Sequence, residues 1–147
     1  MRLIVLDSNV LVSARINTQG SPSRIVNLVL YGAIQIVTSP KVSEEYREVT
    51  SRAKFHPYGF PPLWLSVLIK NSLVLPDYEV ESCSCPDPKD LPFLALAHAS
   101  GAWLVTGNLR HFPEQGRNAV IVLSPADYLV RFNAATGQRL GGDEALP

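Results

Sequence analysis

A chain of 147 residues, 46% hydrophobic and 18% charged, has the size and balance of one soluble domain able to bury about 68–70% of the surface its unfolded form exposes. No apolar run approaches the roughly 20 residues of a membrane span, and the first, Leu3 to Leu6, is too short for the core of a secretory signal, which places the protein in the cytoplasm. The formal net charge is zero at pH 7, so no global field draws in nucleic acid, and any such binding needs a local patch or bridging metal ions.

The chain opens on a strand. Leu3 to Leu6 is continuously apolar, as expected when both faces of a sheet are covered by helices, and it ends at Asp7-Ser8-Asn9. Val10 to Val12 lead into a helical turn, and Gly20 interrupts it. Ser21-Pro22 then has the N-cap and first-turn character of a second helix, with Ile25, Val26, Val29 and Leu30 as its buried stripe and Gly32 as its end. Ile34 to Thr38 reads as the second strand, and Ser39-Pro40 starts the next helix, where Val42, Tyr46 and Val49 share one face. Glu45 sits at the polar margin of that face, whereas Glu44 and Glu48 point further into solvent. After a loop with Pro57, Gly59, Pro61 and Pro62 comes a helix bearing Leu63, Trp64, Val67 and Leu68, then a strand over Ser72–Leu75.

Residues 77–88 are polar and turn-rich, and the two cysteines in them, Cys83 and Cys85, read as reduced thiols. Leu91 to Ala99 is predicted as a helix with Asp90 as a candidate N-cap and Gly101 as its stop. Trp103 to Thr106 and Val120 to Leu123 are the last two strands, and Ser124-Pro125 opens a final helix through Phe132. Strands alternating with helices at this spacing predict one α/β domain over residues 1–133, a three-layer α/β/α fold with a central, mostly parallel sheet, followed by a flexible tail over 134–147.

Three carboxylates stand out in this plan. Asp7 closes the first strand, Glu45 lies on the helix after the second, and Asp90 heads the helix before the fourth. With right-handed crossovers the ends of neighbouring parallel strands share one edge, which brings Asp7, Asp90 and the loop Thr106-Gly107-Asn108 together, with Glu45 approaching from the side. Crowded carboxylates repel one another, and a hard divalent cation such as Mg²⁺ or Mn²⁺ relieves that repulsion with two or three oxygen ligands and retained waters.

At this point the motifs resemble a known family. Leu6-Asp7-Ser8-Asn9-Val10-Leu11, Ser39-Pro40 through Glu45-Tyr46, Asp87-Pro88-Lys89-Asp90 with Phe93-Leu94-Ala95-Leu96-Ala97, and Val105-Thr106-Gly107-Asn108 are similar to the ordered motifs of PIN-domain ribonucleases, in particular the VapC-like toxins of bacterial toxin–antitoxin pairs. The resemblance covers about residues 2 to 130. It implies a Mg²⁺- or Mn²⁺-dependent endoribonuclease with Asp7, Glu45 and Asp90 as metal ligands and catalytic acids, Asn9, Thr106 and Asn108 as supporting residues, RNA as substrate, and a cognate antitoxin and a homodimer or higher homo-oligomer as assemblies. Many members carry a further Asp where this chain has Asn108, which puts a second metal in question. Arg15, Arg47, Lys89, Arg110 and His111 are the cations and imidazole placed to contact an RNA backbone.

Blander roles compete. Asp90 alone would serve as a helix cap, Asp87 before Pro88 suits a turn, and Trp64, Trp103, Phe93 and Phe112 fit core or helix-interface positions better than base-stacking platforms. Asp7 is harder to assign a structural role, because a carboxylate ending a buried strand is costly to desolvate without a partner. Two rivals remain: a non-catalytic RNA- or partner-binding domain of the same fold, and a phosphotransferase with Asp7 as a covalent nucleophile, against which Asn9 stands where such enzymes carry a second Asp. The apolar face of residues 63–69 is a candidate surface for an antitoxin or a second copy.

Overall fold

The computed structural model describes residues 2–137. The first strand, β1 (Ile4–Leu6), is wholly buried at every residue. Since successive side chains on a strand point to opposite faces, burial of all three means that both faces of the sheet are covered, the three-layer arrangement predicted above. Helices α1 (Ser8–Ile16) and α2 (Ser21–Leu30) follow, then β2 (Val37–Thr38), α3 (Pro40–Thr50), α4 (Pro62–Lys70) and β3 (Leu73–Val74). The second half holds α5 (Leu91–Ser100), β4 (Trp103–Val105), β5 (Val122–Leu123) and α6 (Pro125–Thr136).

All paired strands are parallel. β1 pairs with β4 and β4 with β5, β2 pairs with β3, and a single bridge from Ile4 to Ile36 joins the two groups in the order β3-β2-β1-β4-β5. The chain therefore steps outward from β1 in one direction through β2 and β3, and later in the other through β4 and β5. The gap between the ends of β1 and β4 is the switch point at which open α/β sheets bind ligands. Register puts Leu6 beside Val105, so the next residues of the two strands, Asp7 and Thr106, arrive side by side.

Helix starts follow local chemistry. Ser39 and Ser124 accept hydrogen bonds from the backbone N–H groups of Val42 (3.3 Å) and Asp127 (3.1 Å), as their Ser-Pro pairs predict. At Ser21-Pro22 the helix begins one residue earlier than expected, with Gly20 at the cap. Strands are shorter than their apolar runs. Ile34 is buried outside the strand, and Ile36 joins Ile4 by the single bridge only, because an apolar run records burial and not ladder length. Val120 is held in a turn after two left-handed residues, Asn118 and Ala119, so β5 starts only at Val122. At the other end α6 runs past Phe132 to Thr136 and stops at Gly137, whose φ of 77° suits glycine. The tail expected over 134–147 therefore begins later than predicted, since 134–136 are helical, and the rest beyond Gly137 lies outside the described residues.

Phe93 and Phe112 are fully buried as predicted, whereas Trp64 and Trp103 are only half-buried. The guanidinium groups of Arg2 (5.1 Å) and Arg131 (5.3 Å) both lie over the Trp103 ring, and Trp64 meets Phe60 edge-on. Cys83 and Cys85 are free thiols. No helix among the described residues is long and apolar enough to cross a membrane.

Candidate metal centre

Asp7 follows the last residue of β1, and its backbone N–H bonds to the Val105 carbonyl of β4 (2.9 Å), which extends the ladder by one step and holds the residue at the sheet edge. Only 5% of Asp7 is exposed. Its carboxylate is satisfied on one side by the fully buried Thr106, whose hydroxyl donates to Oδ2 at 2.8 Å. That hydroxyl in turn accepts from the Asn108 backbone N–H (3.0 Å) and the Asn9 amide (3.4 Å), and Asn9 Oδ1 accepts from Gly107 N–H (2.9 Å). Asn9 and Thr106 thus brace Asp7 by hydrogen bonding. Beneath them, the buried Tyr46 hydroxyl donates to the Leu6 carbonyl at 2.6 Å, tying α3 to the end of β1. Nothing in the residue pattern marked Tyr46 as more than core.

Asp90 arrives by a different route. Asp87 accepts from Lys89 N–H (2.9 Å) and so starts the single 3₁₀ turn Pro88–Asp90, the turn role its Asp-Pro sequence predicts. Asp90 itself has helical backbone angles and no capping bond, so the candidate N-cap reading is corrected: its side chain is free to face the site. A second 3₁₀ turn at the site, Leu109–His111, is started by Asn108, whose Oδ1 accepts from Arg110 N–H (3.3 Å) while its amide nitrogen sits 2.9 Å from His111 Nε2. The other ring nitrogen, Nδ1, stands 3.3 Å from Asp90 Oδ2.

Asp7, Asp90 and His111 therefore converge, each offering a ligand atom within 4.8 Å of the others. They line a cleft of about 360 Å³ together with Asn9, Ser13, Glu45, Arg52 and Lys89. Glu45 stands on the cleft wall and outside the three-residue cluster, because it projects from the margin of α3, whose own Tyr46 points into the core. Arg15 is turned elsewhere: it donates to the Gly59 carbonyl (2.9 Å) and lies over Trp64, off the cleft lining. Arg110 does not line the cleft either, nor does Arg47, which faces a neighbouring groove along α3. Arg52 was not singled out from the sequence. It is placed at the cleft by its pairing with Glu48 one helical turn earlier (2.6 Å).

The electrostatics match a site built to hold positive charge. Burial pushes the Asp7 carboxyl above its usual range against the opposing pull of Thr106, the amides of Ser8 and Asn9, and His111. Asp90 is raised to about 6 by burial first and then by the charge of Asp7, with His111 pulling the other way. Glu45 is raised by burial and by Glu48. Asp90 Oδ2 is buried and makes no hydrogen bond among the described residues. A buried oxygen without a donor, beside a second carboxylate and an imidazole nitrogen, fits a divalent cation, which supplies the missing charge to both acids.

Comparison with known proteins agrees. A family profile described as the PIN domain matches residues 3–110, most of the chain and all of the cleft residues but His111. This chain belongs to the PIN domain family. The PIN fold is also seen in the crystal structure of VapBC2 from Rickettsia felis bound to a DNA fragment from their promoter, which superposes with a TM-score of 0.54 at 18% identity over 83% of this chain and 98% of that one. An uncharacterised protein of Methanocaldococcus jannaschii is 31% identical over 108 residues, 71% of this chain and 70% of its own length. PIN domains are generally nucleases that use divalent metal, and the match sets aside the aspartyl-nucleophile rival.

Proposed function

We propose that this PIN domain is a Mg²⁺- or Mn²⁺-dependent endoribonuclease and the toxin of a toxin–antitoxin pair. The observation that carries the reading is the convergence of Asp7 and Asp90 at the β1–β4 switch point, on a cleft whose other wall bears Glu45. Bound there, the cation would supply an acidified water for in-line attack and positive charge for the phosphoryl oxygens. The chain's own residues do the rest. Asp7 and Asp90 would hold the cation, Thr106 and Asn9 keep the Asp7 carboxylate pointed, and Glu45, on the wall, would accept a proton or share a cation there. Lys89 and Arg52 set positive charge on the cleft for the RNA backbone, contacts that fix register without reading sequence.

The antitoxin partner is supported by the fold shared with VapBC2 and by Leu63 and Val67 of α4, which stay exposed as an apolar surface for an antitoxin or a second copy. The test is cleavage of a structured RNA with Mg²⁺ or Mn²⁺, with EDTA, and with Asp7→Asn and Asp90→Asn. Cleavage that needs the metal and both acids supports the nuclease. Cleavage that survives chelator and both substitutions rejects it, and RNA binding without cleavage favours the non-catalytic rival.

A further inference from the structure

Asn108 stands where a further carboxylate would add charge to the site, yet the structure gives it a different task. One end of its amide anchors the turn Leu109–His111 and the other meets His111 Nε2 at 2.9 Å, while Nδ1 of the same ring faces the unpartnered Asp90 Oδ2. A ring met at one nitrogen by a side-chain amide, with the other nitrogen turned to carboxylates, is oriented toward a metal once the amide presents its oxygen to the ring N–H, as the outer hydrogen-bond acceptors of metal-bound histidines do. We propose that His111 is a ligand of the cation in this centre, with Asn108 as its positioning residue, and that the imidazole makes the site prefer a first-row ion such as Mn²⁺ over Mg²⁺.

This rests on reading the cleft as a divalent-cation site. The chemistry of preference is that Mg²⁺ demands oxygen ligands and keeps its waters, whereas first-row transition ions accept imidazole nitrogen readily. The proton balance is simple. With Arg110 N–H donating to Asn108 Oδ1, the amide NH₂ faces the ring, so the proton of the neutral ring sits on Nδ1, 3.3 Å from Asp90 Oδ2 but outside hydrogen-bonding geometry with it. Ligation through Nδ1 moves that proton to Nε2, and the Asn108 amide turns over to accept it, giving up its 3.3 Å bond from Arg110 and leaving the N–H of that exposed residue to solvent. His111 is 47% exposed at its side chain, so its replacement leaves the core untouched.

The experiment is Mn²⁺ binding read by pulsed electron paramagnetic resonance alongside calorimetric titration with Mn²⁺ and with Mg²⁺. The expected result is nitrogen modulation on Mn²⁺ bound to the wild type, altered by ¹⁵N-histidine labelling and absent in His111→Gln. Mn²⁺ affinity should fall about tenfold or more in His111→Gln and about tenfold in Asn108→Ala, with a smaller change for Mg²⁺. Mn²⁺ bound without nitrogen modulation, or with modulation that persists in His111→Gln, overturns the assignment while leaving the carboxylate centre intact. Absence of Mn²⁺ binding to the wild type at millimolar concentration overturns this proposal and the metal-nuclease reading together.

Discussion

Replacing Asp90 by Asn should stabilise the metal-free protein. The carboxyl is raised from 3.8 to about 6, chiefly by burial and then by Asp7, so its ionised form is less favourable in the folded chain than in the unfolded one. At about 1.4 kcal/mol per pKa unit, a shift of roughly two units sets a ceiling of about 3 kcal/mol. The side chain is 15% exposed and opens on a wet cleft, and solvent screening reduces the effect to about 1 kcal/mol. The sign is that of an acid with a raised folded-state pKa: the penalty is absent below about pH 4, where both states are protonated, and complete above about pH 6. Asp90→Asn removes the penalty and should melt about 3 °C above wild type at pH 7.5 in EDTA, with the gap closing by pH 4. Added Mn²⁺ or Mg²⁺ should reverse the order, because the wild type gains binding energy that the variant forfeits. Thermal denaturation at both pH values, with and without metal, checks each part. A variant that melts at or below wild type at pH 7.5 in EDTA would refute the account of Asp90 as a strained, cation-seeking carboxylate.

Other perturbations separate the parts of the site. Metal affinity measured by calorimetry should strengthen as pH rises through about 6, since Asp90 must lose its proton to bind, and a flat profile between pH 5 and 7 would contradict this. Thr106→Val keeps the shape and removes the hydroxyl that donates to Asp7, so metal affinity or cleavage should drop about 10- to 100-fold. Tyr46→Phe deletes the bond to the Leu6 carbonyl inside the core and should cost about 1–3 kcal/mol in urea denaturation. Arg15→Ala should lower stability by about 1 kcal/mol or less through its lost contacts with Gly59 and Trp64, with RNA cleavage unchanged, and a marked loss of cleavage would return Arg15 to the substrate path.

How much of this was legible beforehand depends on the kind of contact involved. Local rules read directly from the chain. Short, mostly apolar runs marked the five strands in order, Ser-Pro pairs marked the starts of α3 and α6, and Asp87-Pro88 marked a turn, because each depends on a few adjacent residues and on backbone geometry. Asp7 was also legible, since a carboxylate at the end of a buried strand has no inexpensive structural role. Strand limits were not, because burial extends beyond pairing at Ile34 and a left-handed pair delays β5.

The detailed arrangement of the candidate site depends on tertiary structure. Sequence alone brought Asp7, Asp90 and the loop at Asn108 to one sheet edge with Glu45 at the side, but it counted Asn108 as a missing charge and gave His111 no place beside Asp90. The parallel register of β1 with β4 sets Thr106 against Asp7, and the turn started by Asn108 delivers His111 to Asp90 while Glu45 remains on the wall. The physical reason is the range of the interactions: caps, turns and periodicity act within four residues or so, but the distance between residues 7, 90 and 111 is fixed only when sheet pairing and core packing close the fold.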